Sequence, residues 1–468
     1  MPLILSGNVA TATAATGYDV ANSVRYNDGD SPKLDLDFSS DGTLNKWTFS
    51  MWFKRSTLGT AQRLFCCYDS GMDDYIKFGT DDQLEWVFDN EDGSNKGVLK
   101  TNRKFRDVSA WYHLVCRLDT TDGTAGDRMR MYINGTEETS FATDTNPTQN
   151  ETGDIGRDND HFIGTFGSGQ YFDGYMAEVC MINNQSLAPT SFGEYDEDSP
   201  TIWKPIDVSG LTAGTNGFYL DFEDSGNLGN DAFGGTDWTE TNLAATDQTS
   251  DTCTNNFATW NSLINSNGST AQANASYTTS NSSSNYGYRL STIGMSSGKW
   301  YAEVKYASSS NQALIGIRSR EATAVVHYLG YYDDDYAIYV DGHYYNNNSE
   351  TTNSNASWTN GDIIGIFLDL DNNKLYFSKN GSLYSSTGIS ITAAVSTTTG
   401  FYFFSVSEWN SSGNGTFELN TGNPSFSLTS AVNDGEYGSF EYTTTITGDG
   451  ASKTFKALNT KNLAEYGG

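Results

Sequence analysis

Seven tyrosines crowd around three consecutive aspartates in one short stretch of this chain: Tyr328, Tyr331, Tyr332, Tyr336, Tyr339, Tyr344 and Tyr345, with Asp333, Asp334 and Asp335 between them. Aromatic planes stack on the apolar faces of sugar rings while carboxylates accept hydroxyl protons, so glycan binding is the chemistry this stretch could supply. Tyr331, Tyr332, Asp333, Asp334 and Asp335 are the expected ligand contacts, with the aspartates in a turn. Tyr336 and Tyr339 fit a core strand equally well.

Catalysis has weaker material. Glycoside hydrolysis needs two carboxylates on one strand face. The nearest candidate, Glu194-Tyr-Asp-Glu-Asp198, lies just before Ser199-Pro200, where a terminal loop is the better reading. The four histidines, His113, His161, His327 and His343, have neither a serine-centred nucleophile elbow nor a ligand-spaced His or Cys partner. No catalytic residue is expected.

Metal chemistry has candidates. Hard oxygen ligands at alternate positions in a Gly-containing loop suit calcium, which makes Asp119, Asp122 and Asp127 the candidate metal ligands. Asp28 with Asp30, and Asp154 with Asp158 and Asp160, offer similar sets. Asp, Asn and Gly also build ordinary solvated turns, and none of these loops has twelve-residue EF-hand geometry. Asp369-Leu-Asp371-Asn-Asn373 resembles a calcium loop but is better explained as a hairpin turn.

The elements that must position these groups are strands. Short runs of alternating apolar and polar residues recur along the chain, separated by Gly, Asn, Asp and Ser, with almost no helical periodicity. Trp47, Phe49, Met51 and Phe53 fall on one face of a strand; Thr48, Ser50 and Trp52 fall on the other. Met129 to Ile133 alternates and then turns at Asn134-Gly135, a strong hairpin signal. Ile363 to Leu370 is dense in apolar residues, as in a strand covered on both faces, and a second hairpin returns it through Lys374 to Ser378.

Composition bounds the rest. The chain has 468 residues, too many for one core, and 28 Tyr with 25 Phe to build two. Asp and Glu number 58 against 27 Lys and Arg, for a net charge of −31. That balance excludes nucleic acid as a partner, because phosphates need clustered cations. Five cysteines at irregular positions suggest neither a disulfide framework nor a metal site. No stretch is apolar for a membrane-spanning length, and Leu3 to Leu5 is too short for a signal peptide.

Two families are resembled. Trp47-Thr-Phe-Ser-Met-Trp-Phe53, Trp111-Tyr-His-Leu-Val115, Met129-Arg-Met-Tyr-Ile-Asn-Gly135 and Tyr171-Phe-Asp-Gly-Tyr-Met-Ala-Glu-Val179 resemble successive strands of a laminin G-like or pentraxin-like domain. The resemblance implies a jelly-roll sandwich, calcium at its rim, a structural His113, and a non-catalytic acidic residue at Glu178. Gly298-Lys-Trp-Tyr-Ala-Glu-Val304, Ile315-Gly-Ile-Arg318, Asn360-Gly-Asp-Ile-Ile-Gly-Ile-Phe-Leu-Asp369 and Lys374-Leu-Tyr-Phe-Ser-Lys-Asn-Gly381 resemble a SPRY domain. That family binds partners through loops like the tyrosine-rich one. Asn22-Ser-Val-Arg-Tyr-Asn-Asp-Gly-Asp-Ser31, Asn242-Leu-Ala-Ala-Thr-Asp247 and Phe455-Lys-Ala-Leu-Asn-Thr-Lys-Asn-Leu463 are similar to structural proteins of marine tailed bacteriophages.

The expected architecture is all-β: an N-terminal arm (1–17), a laminin G-like sandwich (18–197), a connector (198–252), a SPRY-like sandwich (253–422) and a C-terminal segment (423–468). A protease-sensitive linker is expected over Ser262 to Asn285, and both termini are expected to dock on a partner subunit. Three functions fit: a virion adhesin of tail-fibre or knob type binding a host surface glycan, a capsid-decorating or other particle-stabilising protein, and a glycan-acting enzyme. For the first two the expected partners are other virion proteins and further copies of the chain, and the location is the virion surface after synthesis in the host cytoplasm.

Overall fold

The computed structural model describes residues 17–467 apart from 70–71, 90–94, 265–266, 281–285, 308–311, 321–326, 352–354 and 409–413. The chain divides into two units that meet between Thr254 and Asn255. The expected arm lies almost wholly outside the described residues.

The first unit packs two eight-stranded antiparallel sheets face to face. One sheet is centred on Lys46–Arg55, flanked by Tyr112–Asp119 and Gly174–Asn183. The other runs through Gly97–Lys104, Gln83–Phe88, Met72–Phe78, Gln62–Asp69, Asp160–Ile163 and Lys33–Asp37. Trp47, Phe49, Met51 and Phe53 are fully buried between the sheets, on the face that strand alternation assigns them.

The opposite face of Lys46–Arg55 is buried too, and this corrects the expected connector over 198–252. Phe192, Val208 and Tyr219 lie on the outer face against Val115, Cys180 and Ile182. Phe218–Leu220 pairs with Gly174–Asn183, Thr239–Thr241 with Lys33–Asp37, and Gln248–Thr249 with Ser23–Tyr26. Phe218, Leu220, Phe222, Leu228 and Trp238 enter the core. Each such burial contributes about 1.5–3 kcal/mol, which is why the segment folds onto the sandwich instead of spacing two domains.

The second unit has a nine-stranded and a six-stranded sheet. Its centre is the hairpin Ile363–Asp369 to Lys374–Lys379, with Asp369 opposite Lys374. Asn380 (φ 46°) and Gly381 (φ 78°) supply the left-handed pair that turns the chain into Ser382–Leu383. Asn134 (φ 49°) and Gly135 (φ 74°) do the same in the first unit.

Two further corrections fall in this unit. Gly268–Ala271 and Ser276–Thr279, inside the expected linker, form a hairpin that pairs with Thr416–Asn420 and buries Tyr277 completely. The C-terminal segment also belongs to the fold. Lys456–Ala457 runs parallel to Lys299–Tyr306, and Phe440, Phe455 and Ala457 pack on Tyr301, Phe367 and Tyr376. Glu303, fully buried, joins the parts: its carboxylate accepts from the Tyr301 hydroxyl, the Asn420 amide and the backbone N–H groups of Glu441 and Tyr442. A seven-residue helix, Thr460–Tyr466, closes the chain, with the Asn459 side chain capping Asn462 N–H.

Candidate functional site

Strand Asp335–Tyr339 pairs with Ala313–Arg318 and sets Asp335 directly opposite Arg318. Neither side chain reaches water, and Arg318 donates Nε and Nη2 to Asp335 Oδ2 at 3.0 and 2.7 Å. The same guanidinium reaches the carbonyls of His327 and Tyr328, at 3.1 and 2.9 Å, and so pins the start of the tyrosine-rich loop. Asp334 is also buried; it accepts from Arg320 Nε at 2.7 Å and from the Thr398 N–H and hydroxyl. Asp333 alone of the three is open, with its side chain 78% exposed, 3.2 Å from Arg320 Nη2.

This corrects the expectation that all three aspartates contact ligand. A carboxylate opposite an arginine in a ladder, or holding a loop backbone, is an internal anchor. The alternation Asp333, Asp335 against Asp334 carried no such information, because burial here is set by the facing strand.

The tyrosines divide in the same way. Tyr328, Tyr336 and Tyr345 are buried, and the Tyr336 hydroxyl lies 3.1 Å from Thr392 Oγ1. Tyr331 and Tyr332 are half-buried and lie together. The His327 ring stacks on Tyr331 with centroids 3.6 Å apart and planes 2° from parallel, and Tyr332 meets Tyr331 edge-on at 5.1 Å. The Arg320 guanidinium lies 4.4 Å from the Tyr332 ring centre. Burial and the Arg318 charge hold the His327 imidazole below its ordinary range, so the stack is uncharged at neutral pH. The turn at Asn347 and Asn348 and the Asn346 side chain support the stack from behind: the Asn346 amide donates to the carbonyls of Asp333 and Asp335 at 3.1 and 2.8 Å.

The result is a small aromatic surface with one guanidinium and one open carboxylate at its edge. Rings of this kind stack on apolar sugar faces, while Arg320 and Asp333 can donate to and accept from hydroxyls. His327 and Arg320 were missed in the sequence. Nothing in the spacing ties either residue to Tyr331.

The catalytic candidates have other occupations. Ser50 Oγ lies 2.8 Å from His113 Nε2, which resembles a nucleophile and its base. Yet Trp203 Nε1–H donates to His113 Nδ1 at 2.9 Å, so the ring proton sits on Nε2 and is donated to Ser50. Burial lowers this imidazole to about 3, and it cannot take a proton from the serine. His161 Nε2 accepts from Gly156 N–H and is likewise buried and neutral. Glu194 pairs with Lys204 at 3.3 Å, and Asp196 caps the N–H groups of Asp198 and Ser199. Glu178 sits at a bulge with φ 51°, 2.7 Å from the Tyr219 hydroxyl. Burial raises it to about 8, so it is protonated at neutral pH.

The calcium candidates do not converge. Asp119 accepts from Thr121 N–H at 3.1 Å and pairs with Lys46 at 2.9 Å; against the burial that would raise it, these partners hold its carboxyl below the ordinary range. Asp122 caps Thr124 N–H at 2.8 Å, and Asp127 pairs with Arg130. Asp30 accepts from Asn27 at 2.7 Å, and Asp154 faces Arg157 at 3.3 Å. Among the described residues the metal-capable side chains that do come together lie elsewhere, at Asp341, His343 and Glu350.

Comparison with known proteins matches residues 28–189 to the concanavalin A-like lectin/glucanases superfamily and residues 299–420 to the SPRY domain. Both domains are therefore present, and domains of these types typically bind without catalysing. No curated protein matches the chain. Among solved structures, the SPRY domain of human HERC1 is similar at 20% identity and a TM-score of 0.26, covering 31% of this chain and 86% of that one. A heptameric SAP-like pentraxin from Limulus polyphemus is similar at 16% identity and 0.27, covering 37% and 80%. A binding function is what the two folds suggest.

Proposed function

We propose that this chain is a non-catalytic surface protein of a tailed-bacteriophage particle, an adhesin of tail-fibre or knob type that binds a host surface glycan. The observation that carries the reading is the Tyr331–Tyr332 platform, with its His327 stack and the Arg320 and Asp333 edge. Its role as a binding protein rests on the two domain types. The occupied carboxylates and the buried, hydrogen-bonded imidazoles of His113 and His161 support the absence of catalysis. Assignment to a virion rests on the sequence resemblance and on the acidic surface, which keeps a protein soluble in salt water. Other virion proteins and further copies of the chain are the partners this role requires.

Capsid decoration is the second reading. It is favoured by the described residues themselves, which form two sandwiches and one short helix without a fibrous repeat. A glycan array probed with the purified chain separates the two. Selective binding to a sugar class supports the adhesin. Failure to bind any glycan, together with labelling spread over the capsid lattice in electron micrographs of the particle, replaces it with the decorating protein.

A further inference from the structure

Asp341, His343 and Glu350 bring one ligand atom each to within 4.8 Å of one another. The backbone accounts for the meeting. Tyr344–Asn346 and Ser349–Thr351 form a hairpin turned by Asn347 and Asn348, both at φ 54°, and its register sets Tyr345 opposite Glu350. Residues two apart on a strand share a face, so His343, just before the hairpin, lies on the face of Tyr345 and Glu350. Asp341 joins from the preceding turn, where its Oδ1 accepts His343 N–H at 2.9 Å and its Oδ2 lies 3.4 Å from His343 Nδ1. The Glu350 carboxylate contacts the same ring nitrogen and is held from the side by the Tyr345 hydroxyl. Two carboxylate oxygens thus face one imidazole nitrogen, and the three side chains are a quarter to under half exposed, open to an ion from solution.

We propose that Asp341, His343 and Glu350 bind a divalent transition-metal ion, with zinc the best fit. An imidazole nitrogen and two carboxylate oxygens leave one tetrahedral position for water, a donor set zinc accepts at about 2.0–2.2 Å. Calcium is disfavoured, since it takes six to eight oxygens and no imidazole. On binding, the imidazole offers its Nδ1 lone pair and carries its proton on Nε2. The ion would cross-link the turn at 341–343 to the returning strand. That hairpin also holds the aromatic platform, because Asn347 and Asn348 donate their N–H groups to the carbonyls of Tyr332 and Gly330, both at 3.0 Å.

The test is a calorimetric titration of the full chain with zinc chloride, beside calcium chloride, for the natural sequence, His343→Ala and Glu350→Gln. The expected result is one zinc site in the micromolar range, weakened at least tenfold by each substitution. A visible cobalt(II) band should appear with the natural sequence and vanish in His343→Ala, while any calcium heat stays the same in all three. Zinc binding that is absent, or undiminished in either variant, overturns the proposal, the second case meaning diffuse attraction to an acidic surface. Melting curves without metal check that the variants fold. If His343→Ala does not, Glu350→Gln decides alone, since it keeps the shape and removes only a ligand charge.

Discussion

Asp333 and Asp335 are two residues apart and identical in chemistry, yet the fold gives them opposite tasks. Asp335 faces Arg318 across a ladder with neither group in water, while Asp333 projects from the loop. Removing one partner of a buried pair leaves an uncompensated charge, which costs about 3–5 kcal/mol. Asp335→Ala should therefore lower the urea-unfolding free energy of the second unit by roughly that amount. Asp333→Ala should change it by less than about 0.5 kcal/mol, as an exposed pair contributes little. Equal effects of the two substitutions would show that the burial assigned to Asp335 is mistaken. The sequence could not separate them, because their difference lies on the facing strand.

Single strands and hairpins were the most legible elements. Asn134-Gly135 and Asn380-Gly381 turn where turn chemistry says they must, and Trp47, Phe49, Met51 and Phe53 point inward as their alternation says. Short strands in polar surroundings are not legible in the same way. Thr239–Thr241 and Gly268–Ala271 have almost no apolar periodicity; the first is ordered by pairing with Lys33–Asp37, far away in sequence, and the second by a hairpin with Ser276–Thr279, which itself pairs with the distant Thr416–Asn420. The C-terminal segment is illegible for a similar reason: Phe440 and Phe455 look isolated in sequence, and their packing partners Tyr301 and Phe367 are supplied by distant strands. It follows that truncation after Gly422 should leave the second unit unable to fold, with loss of its circular dichroism and binding of a hydrophobic dye. A milder variant makes the same point. Glu303→Ala strands four donors and should cost at least about 2 kcal/mol in urea unfolding, given roughly 1–3 kcal/mol per buried unsatisfied group. A truncated chain that melts like the full one would return these residues to the role of a separate arm. Proteases should spare 268–279 while both units remain folded.

For the molecule as a whole, acidity decides how stability follows pH. Burial raises the carboxyls of Asp74 and Glu178 to about 8 and that of Asp173 to about 7. Each folded-state value lies above the ordinary carboxylate range, so the native chain holds protons that the unfolded chain releases near pH 4. Their contribution is complete below about pH 4 and is lost as pH rises through about 7 to 8. His113 and His161, lowered by burial to about 3 and 4, act in the other direction but only below about pH 6.5. The melting temperature should therefore fall by several degrees between about pH 6.5 and 8.5. It should still fall in 1 M salt, where the repulsion of the net charge of −31 is screened within about 3 Å. A melting temperature that rises over that window would mean these carboxyls are ionised in the native state. Binding, by contrast, should change little over this range, since burial and the Arg318 charge hold the His327 imidazole of the platform below its ordinary range. The most direct measurement of the central claim compares Tyr331→Ala/Tyr332→Ala with the natural chain, reading both adsorption to host cells and melting temperature. Adsorption at least tenfold weaker, equivalent to about 1.4 kcal/mol, with melting nearly unchanged, is the predicted result. Undiminished adsorption with a melting temperature several degrees lower would contradict it and make the two rings part of the core.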